Sequence, residues 1–305
     1  MRLVFLGTSS ATPTPRRFLP SMALIRLGDM FLFDCGEGAQ IRFRRANLRF
    51  SRLKWILISH MHGDHITGLM GLLMSLQMAE RVEPLTVVGP VGLREYVQAN
   101  RRFLRTEFGY DLDFIELQQE FETVHDGPEY LIEAGRLDHR LPTYGFVLTE
   151  KDKPGRFDVE AARALGVPSG PLYGQLQNGQ SVTLEDGTVV TPDQVLGEVR
   201  PGRRVAYVTD TRPCPMAVRL AQNADLLVHE STFAMDLADE ARAKKHSTTV
   251  EAAEVARLAG AKRLVLTHFS PRYVDLEALR REAAEHFPWV EVATDLKEFE
   301  LEPVP

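Results

Sequence analysis

Apolar residues run along this chain in short blocks that stop at small or polar side chains. LVFLG (3–7), MFLFDCG (30–36), WILISH (55–60), LTVVG (85–89), YGFVL (144–148), RVAYVTD (204–210), DLLVHE (225–230) and RLVLTH (263–268) predict strands. Between some of them the apolar spacing lengthens to the helical period: ITGLMGLLMSLQMAE (66–80), VGLREYVQANRRFL (91–104) and TVEAAEVARLAG (249–260). This mixture predicts an α/β protein of layered sheets and helices. No internal repeat stands out.

Residues 151–202 break the pattern. Gly and Pro are scattered through them, as in GVPSGPLYG (166–174), and apolar periodicity is weak. Flanked by strand-like blocks, the stretch reads as an insertion without a core of its own. The expected organisation is one domain over 1–305 carrying an inserted, flexible, protruding arm at 151–202.

Composition narrows the class. With 44% hydrophobic and 26% charged residues, the chain of 305 residues has the make-up of a soluble globular protein. No apolar run reaches the ~20 residues that span a bilayer, so no membrane association is expected. MRLVFLGTSS reads as a first strand and lacks a signal peptide's apolar core and cleavage site. Two cysteines, Cys35 and Cys214, are too few for a disulfide framework and suit the cytoplasm. A net charge of −6 argues against a general nucleic-acid binder. Yet residues 42–54 (RFRRANLRFSRLK) hold six basic side chains and no acid, either a solvated helix face or a local phosphate-attracting patch.

The strongest chemical signal is WILISHMHGDHITG (55–68), where a strand-like run ends in three histidines and an aspartate within six positions. In an extended chain His60 and His62 point the same way. Gly63 permits a sharp turn, after which Asp64 and His65 open a helix. Imidazole nitrogens and carboxylate oxygens in this density suit zinc and related metals. His139 (RLDHRLP), Asp210 (VAYVTDT) and His268 (LVLTHFSP) are further donors, the last two at the ends of apolar runs where open α/β sheets place their functional groups. Seven donors make a dinuclear site the expectation.

These residues carry a resemblance. HMHGDH (60–65) is the HxHxDH pattern of the metallo-β-lactamase superfamily, which implies an αβ/βα sandwich of two packed mixed sheets flanked by helices. FLGTSSATPTP, DCGEGAQ (34–40), DTRP (210–213), HEST (229–232), HST (246–248), LTHFSPRY (266–273) and a Gly-Pro arm resemble the tRNase Z family more narrowly. That resemblance implies two zinc ions per subunit, one held by His60, His62 and His139, the other by Asp64, His65 and His268, with Asp210 bridging. It implies that Asp64 also orients the attacking water and that His246 is the general acid for the leaving 3′-hydroxyl. From the residues alone, His246 could instead belong to a helix N-cap region, since Ser247 and Thr248 precede a helical pattern. Glu230 is the expected carboxylate partner of His246, and Asp34 supports the site or merely its turn. His125, His229 and His286 match no ligand position.

The implied substrate is precursor tRNA, whose 3′ trailer is removed to leave a 3′-hydroxyl, and the implied assembly is a homodimer. Arg16 and Arg17 of PTPRRF (13–18) and Gly170-Pro171 of the arm are the expected substrate contacts. Both regions depart from the family. Pro15 replaces a lysine and Phe18 an asparagine of the usual loop, and between positions 165 and 199 the arm has no Lys or Arg but four acids. Such an arm releases few counterions on RNA. The competing readings are a superfamily hydrolase of small phosphodiesters or other esters and a catalytically idle RNA-binding relative.

Overall fold

A computed structural model describes residues 1–302. The chain divides into two compact units, Met1–Thr149 with Arg204–Glu302, and Glu150–Arg203.

In the first unit, β1 (Arg2–Gly7), β2 (Ser21–Arg26), β3 (Asp29–Phe33), β4 (Leu53–Leu57), β5 (Leu85–Pro90), β6 (Leu112–Leu117) and β16 (Glu298–Glu300) form one seven-stranded sheet. Their order is β16-β1-β2-β3-β4-β5-β6, antiparallel up to β3 and parallel from β3 to β6. A second seven-stranded sheet holds β7 (Phe121–Asp126), β8 (Tyr130–Leu137), β9 (Thr143–Glu150), β12 (Arg204–Val208), β13 (Leu226–Glu230), β14 (Leu264–Thr267) and β15 (Val290–Val292). There the order is β15-β14-β13-β12-β9-β8-β7, with β12 to β15 parallel.

The near-continuous apolar blocks follow from burial on both faces of each sheet. Side chains alternate along a strand. Leu3 and Phe5 therefore enter the core between the sheets, with Tyr144, Phe146 and Tyr207. Val4 and Leu6 face the opposite way. They pack on a helical layer made of α1 (Ala39–Arg45), α2 (Gly63–Ile66), α3 (Leu69–Met78) and α4 (Leu93–Leu104). The outer face of the second sheet is covered by α7 (Pro215–Ala221), α9 (Thr249–Ala259) and α10 (Leu276–Ala284), with α8 (Ala238–Lys244) between α7 and α9 in the chain. Phe33 meets Tyr207 at 5.2 Å and Phe146 at 6.2 Å between ring centroids, joining the two sheets. This is the αβ/βα sandwich. No helix of the described residues is long and apolar enough to cross a membrane.

The strands carrying the site end earlier than the apolar blocks suggest. β4 stops at Leu57, β12 at Val208 and β14 at Thr267, so His60, Asp210 and His268 sit just beyond the pairing, in loops free to turn inward. Gly63 is not a hinge. Its φ is not positive, and a Cβ there would meet only Thr67 Cγ2 at 3.6 Å. The turn comes instead from the helical start of α2 after extended His62.

The second unit contains α5 (Val159–Ala164), α6 (Pro171–Gln177) and a hairpin of β10 (Val182–Thr183) and β11 (Val189–Val190). Contrary to the sequence pattern, it has a small core: Ala162, Val167, Leu176, Val182, Val190 and Val195 are buried together. Each of its elements is too short to show a period. Asp158 caps α5 through Ala161 N–H, and Gly170 at φ 136° precedes Pro171 at the first turn of α6. Gly170 needs its glycine, since that φ strains any side chain.

Candidate metal centre

The sequence WILISHMHGDH folds into the centre locally. β4 leads through Ile58 and Ser59 to His60, and the chain stays extended at His62, so the rings of His60 and His62 turn to one side. His60 Nε2 then lies 2.9 Å from His62 Nδ1. One turn of α2 swings Asp64 and His65 in from the opposite side. His139 arrives from the loop after β8, with its Nε2 3.4 Å from His62 Nδ1. His268, at φ 60°, follows β14, and its Nε2 is 3.2 Å from His65 Nε2. Tyr144 N–H donates to Ser59 O (3.0 Å) and ties the second sheet to the loop after β4.

Donor atoms of His60, His62, His139 and Asp210 converge within 4.8 Å of one another, as do those of Asp64, His65 and His268. Asp210 joins the sets. Its Oδ2 is 3.6 Å from His60 Nε2 and 3.9 Å from His139 Nε2, while its Oδ1 is 3.5 Å from His65 Nε2 and 3.2 Å from His268 Nε2. Asp64 Oδ2 stands 3.5 Å from the Nε2 of both His65 and His268. Donors around a tetrahedral first-row cation lie about 3.3 Å apart, so these spacings fit metal coordination.

The outward nitrogens supply an independent test, because a ligating histidine normally donates its other N–H to a fixed acceptor. His65 Nδ1 donates to Asp34 Oδ2 (2.8 Å) and His139 Nδ1 to Lys245 O (2.8 Å). Ser59 Oγ donates to Asp34 Oδ2 (2.9 Å), which leaves its lone pair for His60 Nδ1 (2.9 Å). Thr232 Oγ1 donates to Glu230 Oε2 (2.6 Å) and so accepts from His268 Nδ1 (2.9 Å). Each of these four histidines turns its Nε2 inward.

Charge tells the same story. Burial, seconded by the neighbouring His65, pushes His60 well below the usual histidine value, and burial likewise lowers His62 and His139. Burial also opposes charge on His65, but Asp210, Asp34 and Asp64 outweigh it and raise His65 to about 10. Burial opposes charge on Asp210 too, yet His268, His65 and His246 hold it well below the carboxylate range. Carboxylates crowded round a buried imidazole demand positive charge at this point. A metal cation would take the place of the proton on His65 Nε2.

Beside the donors, His246 Nδ1 lies 2.9 Å from Glu230 Oε1 and 3.9 Å from Asp210 Oδ2. Glu230 is fully buried and also accepts from the backbone of Thr211, Thr232 and Ser247 and from the Thr232 hydroxyl. Burial lowers His246, but Glu230 and Asp210 overcome it and raise His246 to about 9. Thr248, not His246, caps α9, in a capping box with Glu251.

Of the remaining sequence candidates, Asp34 is fully buried at φ 54° and accepts from Ser59, His65 and Tyr207. Arg17 donates to Ser270 O (3.2 Å), and Arg16 and Arg17 line a cavity of about 450 Å³ with Pro271, Tyr273, Val274 and Asp295. Gly170 and Pro171 belong to the second unit, where they start α6. His229 is a buried histidine bonded to Glu230 O, and His125 packs on Trp55 and Tyr130. Sequence reasoning missed Ser59, Tyr207, Thr232, the Lys245 carbonyl and Ala11 N–H, which donates to Asp64 Oδ2 at 2.8 Å. Thr232 was within reach as part of HEST. The backbone groups leave no trace in a sequence.

Comparison with known proteins agrees with this site. A family model described as the beta-lactamase superfamily domain matches residues 176–269, and one described as Anti-Pycsar protein Apyc1 matches residues 1–99. The ribonuclease Z of Salinibacter ruber is 48% identical over 301 residues, covering 98% of this chain and 94% of the relative. That of Acaryochloris marina is 45% identical over 309 residues, covering 99% and 98%. The structure of human tRNase Z, short form, superposes with a TM-score of 0.71 at 28% identity over 100% of both chains. YhfI from Bacillus subtilis shares the fold at a TM-score of 0.70, 19% identity and 98% coverage of each chain. With its inward-facing donors and an identity of 48% over nearly its whole length, the chain belongs to the ribonuclease Z family of tRNA 3′-processing endoribonucleases, within the metallo-β-lactamase superfamily.

Proposed function

We propose that the chain binds two zinc ions and uses them to cut the phosphodiester at the 3′ end of the tRNA body in precursor tRNA, leaving a 3′-hydroxyl. His60, His62 and His139 would hold one ion, Asp64, His65 and His268 the other, and Asp210 both. The observation that carries this is the pair of donor sets, with Asp210 in one and within 3.5 Å of the other's His65 and His268, and a carboxylate-bound histidine alongside. When bound, the metal pair supplies Lewis acidity that offsets phosphate charge and makes water nucleophilic at neutral pH.

The protein's own groups do the rest. Asp64, fixed by Ala11 N–H, orients the attacking water and takes up its proton. His246 donates Nδ1–H to Glu230 Oε1, which leaves its Nε2 proton for the departing 3′-oxygen. Its raised pKa keeps that proton in place near neutral pH. Arg16, Arg17 and the segment 151–202, an inserted arm that includes Gly170 and Pro171, contribute substrate contacts. A homodimer in the cytoplasm completes the reading.

The test is cleavage of a precursor tRNA with a 3′ trailer, run beside a chromogenic phosphodiester such as bis(p-nitrophenyl) phosphate. Trailer removal with a 3′-hydroxyl product is expected. Hydrolysis of the small ester with several precursor tRNAs left intact would overturn the assignment and favour a small-ester hydrolase.

A further inference from the structure

The basic run at 42–54 resolves into two kinds of side chain. Arg42 is buried and structural, donating to Leu6 O at 3.0 Å and pairing with Asp295 at 3.3 Å. Lys54 pairs with Asp29 at 2.7 Å. Arg44, Arg45, Arg49 and Arg52 are exposed, and among the described residues none of them makes an ion pair. Elsewhere some surface cations are matched, Arg257 with Glu254, Arg280 with Glu277, Lys244 with Glu240 and Arg263 with Glu291, while Arg102 and Arg105 are exposed without an ion pair among the described residues. No acid lies between positions 38 and 54.

The four arginines stand on a firm base. Phe43 and Phe50 pack at 5.4 Å, and Arg44 lies over the Phe50 ring at 5.6 Å. Arg81 holds the Phe50 and Leu53 carbonyls from below, at 3.0 and 2.7 Å. The patch lies toward the far end of the first sheet from the metal centre: Arg52 precedes Leu53, which pairs with Met30 at the start of β3, and His60 comes seven residues later, about 23 Å along extended chain. Cys35 N–H donates to His65 O and Gly68 N–H to Cys35 O, so the turn opening α1 is fastened to the metal-binding turn. From there α1, with its 7 residues, carries the chain back toward the start of β4, so that Arg44 and Arg45 close the helix and Arg49 and Arg52 follow it.

We propose that Arg44, Arg45, Arg49 and Arg52 form a docking surface for the phosphate backbone of the precursor RNA at a distance from the cleavage site. The occupant follows from charge. An unneutralised guanidinium cluster on a chain of net charge −6 suits a polyanion. A second copy docked there by a two-fold axis would bring the four cations against their equals. The second unit cannot supply that charge between 165 and 199, where it has no Lys or Arg. This inference rests on precursor tRNA being the substrate.

The test compares R44Q/R45Q/R49Q/R52Q with R257Q/R263Q/R280Q/R281Q, which removes the same charge from α9, α10 and the loop before β14. Precursor-tRNA cleavage and bis(p-nitrophenyl) phosphate hydrolysis are measured between 50 and 200 mM salt, with melting temperature, metal content and size-exclusion volume. The patch variant is expected to raise KM for the precursor roughly tenfold at 100 mM salt. Its slope of log KM against log salt should fall by about three, at ~0.7–0.9 for each of four phosphates no longer neutralised. Small-ester turnover should stay within twofold, and the control variant should match wild type. An unchanged slope overturns the proposal. So does an equal loss in the control variant, a parallel loss on both substrates, or a change of oligomeric state with RNA affinity intact. Failure of the wild type to cut precursor tRNA would instead sink the substrate reading, and the wild-type protein alone reveals it.

Discussion

The two sheets furnish the metal centre in different ways. The first sheet delivers His60, His62, Asp64 and His65 from one strand end and one helical turn, within six consecutive positions. The second delivers His139, Asp210, Glu230, His246 and His268 from five separate segments, each placed by the pairing of its own strand or loop. A local cluster is easy to assemble, because few residues must be ordered to bring its donors together. The scattered set exists only once the sheet has formed, and its members are held by hydrogen bonds from residues far away in sequence.

That difference predicts how each side fails. The largest effect is expected at Asp210, proposed to serve both ions. Asp210→Ala should lower metal content from two per chain toward none and cut turnover by about 10⁴-fold, several kcal/mol of charge stabilisation. His139→Ala should lose one ion only. Metal analysis with activity assays checks both; two ions retained in Asp210→Ala would remove its bridging role. Chelation should abolish activity, and zinc should restore it.

Next comes His246→Ala, expected to slow precursor cleavage by roughly 10²–10⁴-fold with metal content unchanged. The deficit should shrink on bis(p-nitrophenyl) phosphate, whose nitrophenolate leaves without a proton. An equal deficit on both substrates would exclude proton donation.

Thr232→Val removes the acceptor that fixes His268 Nδ1. Metal affinity should weaken about 10–100-fold, measured by competition with a chromophoric chelator. Ser59→Ala does the same for His60 from the local side, and the comparison sharpens if its effect is the smaller, because Asp34 still braces His65.

Glu230→Gln should reduce turnover by roughly tenfold and move the pH profile. In the proposed role His246 acts protonated, so turnover should fall as pH rises through its pKa. Glu230 raises that pKa, and Gln lowers it. The falling limb should therefore shift to lower pH, and a pH-rate profile that does not move would separate Glu230 from His246. The smallest effect is assigned to Tyr207→Phe, which deletes one of the hydrogen bonds to Asp34 and should cost about 1 kcal/mol in denaturant unfolding.

The layered α/β class, the strand blocks and the first ligand cluster are legible in the sequence, because strands buried on both faces and adjacent ligands leave local traces. The resemblance of the motifs added His139, His246 and Glu230, which spacing alone left open. The core of the second unit was hidden, since Ala162, Val167, Leu176, Val182, Val190 and Val195 sit on elements of seven residues or fewer or on the turns between them. Tyr207 looks like any inward aromatic of a strand until its hydroxyl meets Asp34.

By itself, then, the sequence determined that four metal donors meet at one strand end, and that the chain has enough apolar strand to bury two sheets. Only the tertiary structure decided that Asp210 reaches both donor sets, that Glu230 holds His246, and that Lys245 and Thr232 fix the outward nitrogens of His139 and His268. The reason is distance along the chain. Neighbours within six residues are brought together by backbone geometry, whereas groups separated by 16, 36 or 106 residues are joined only by the packing of the sheets and loops that carry them.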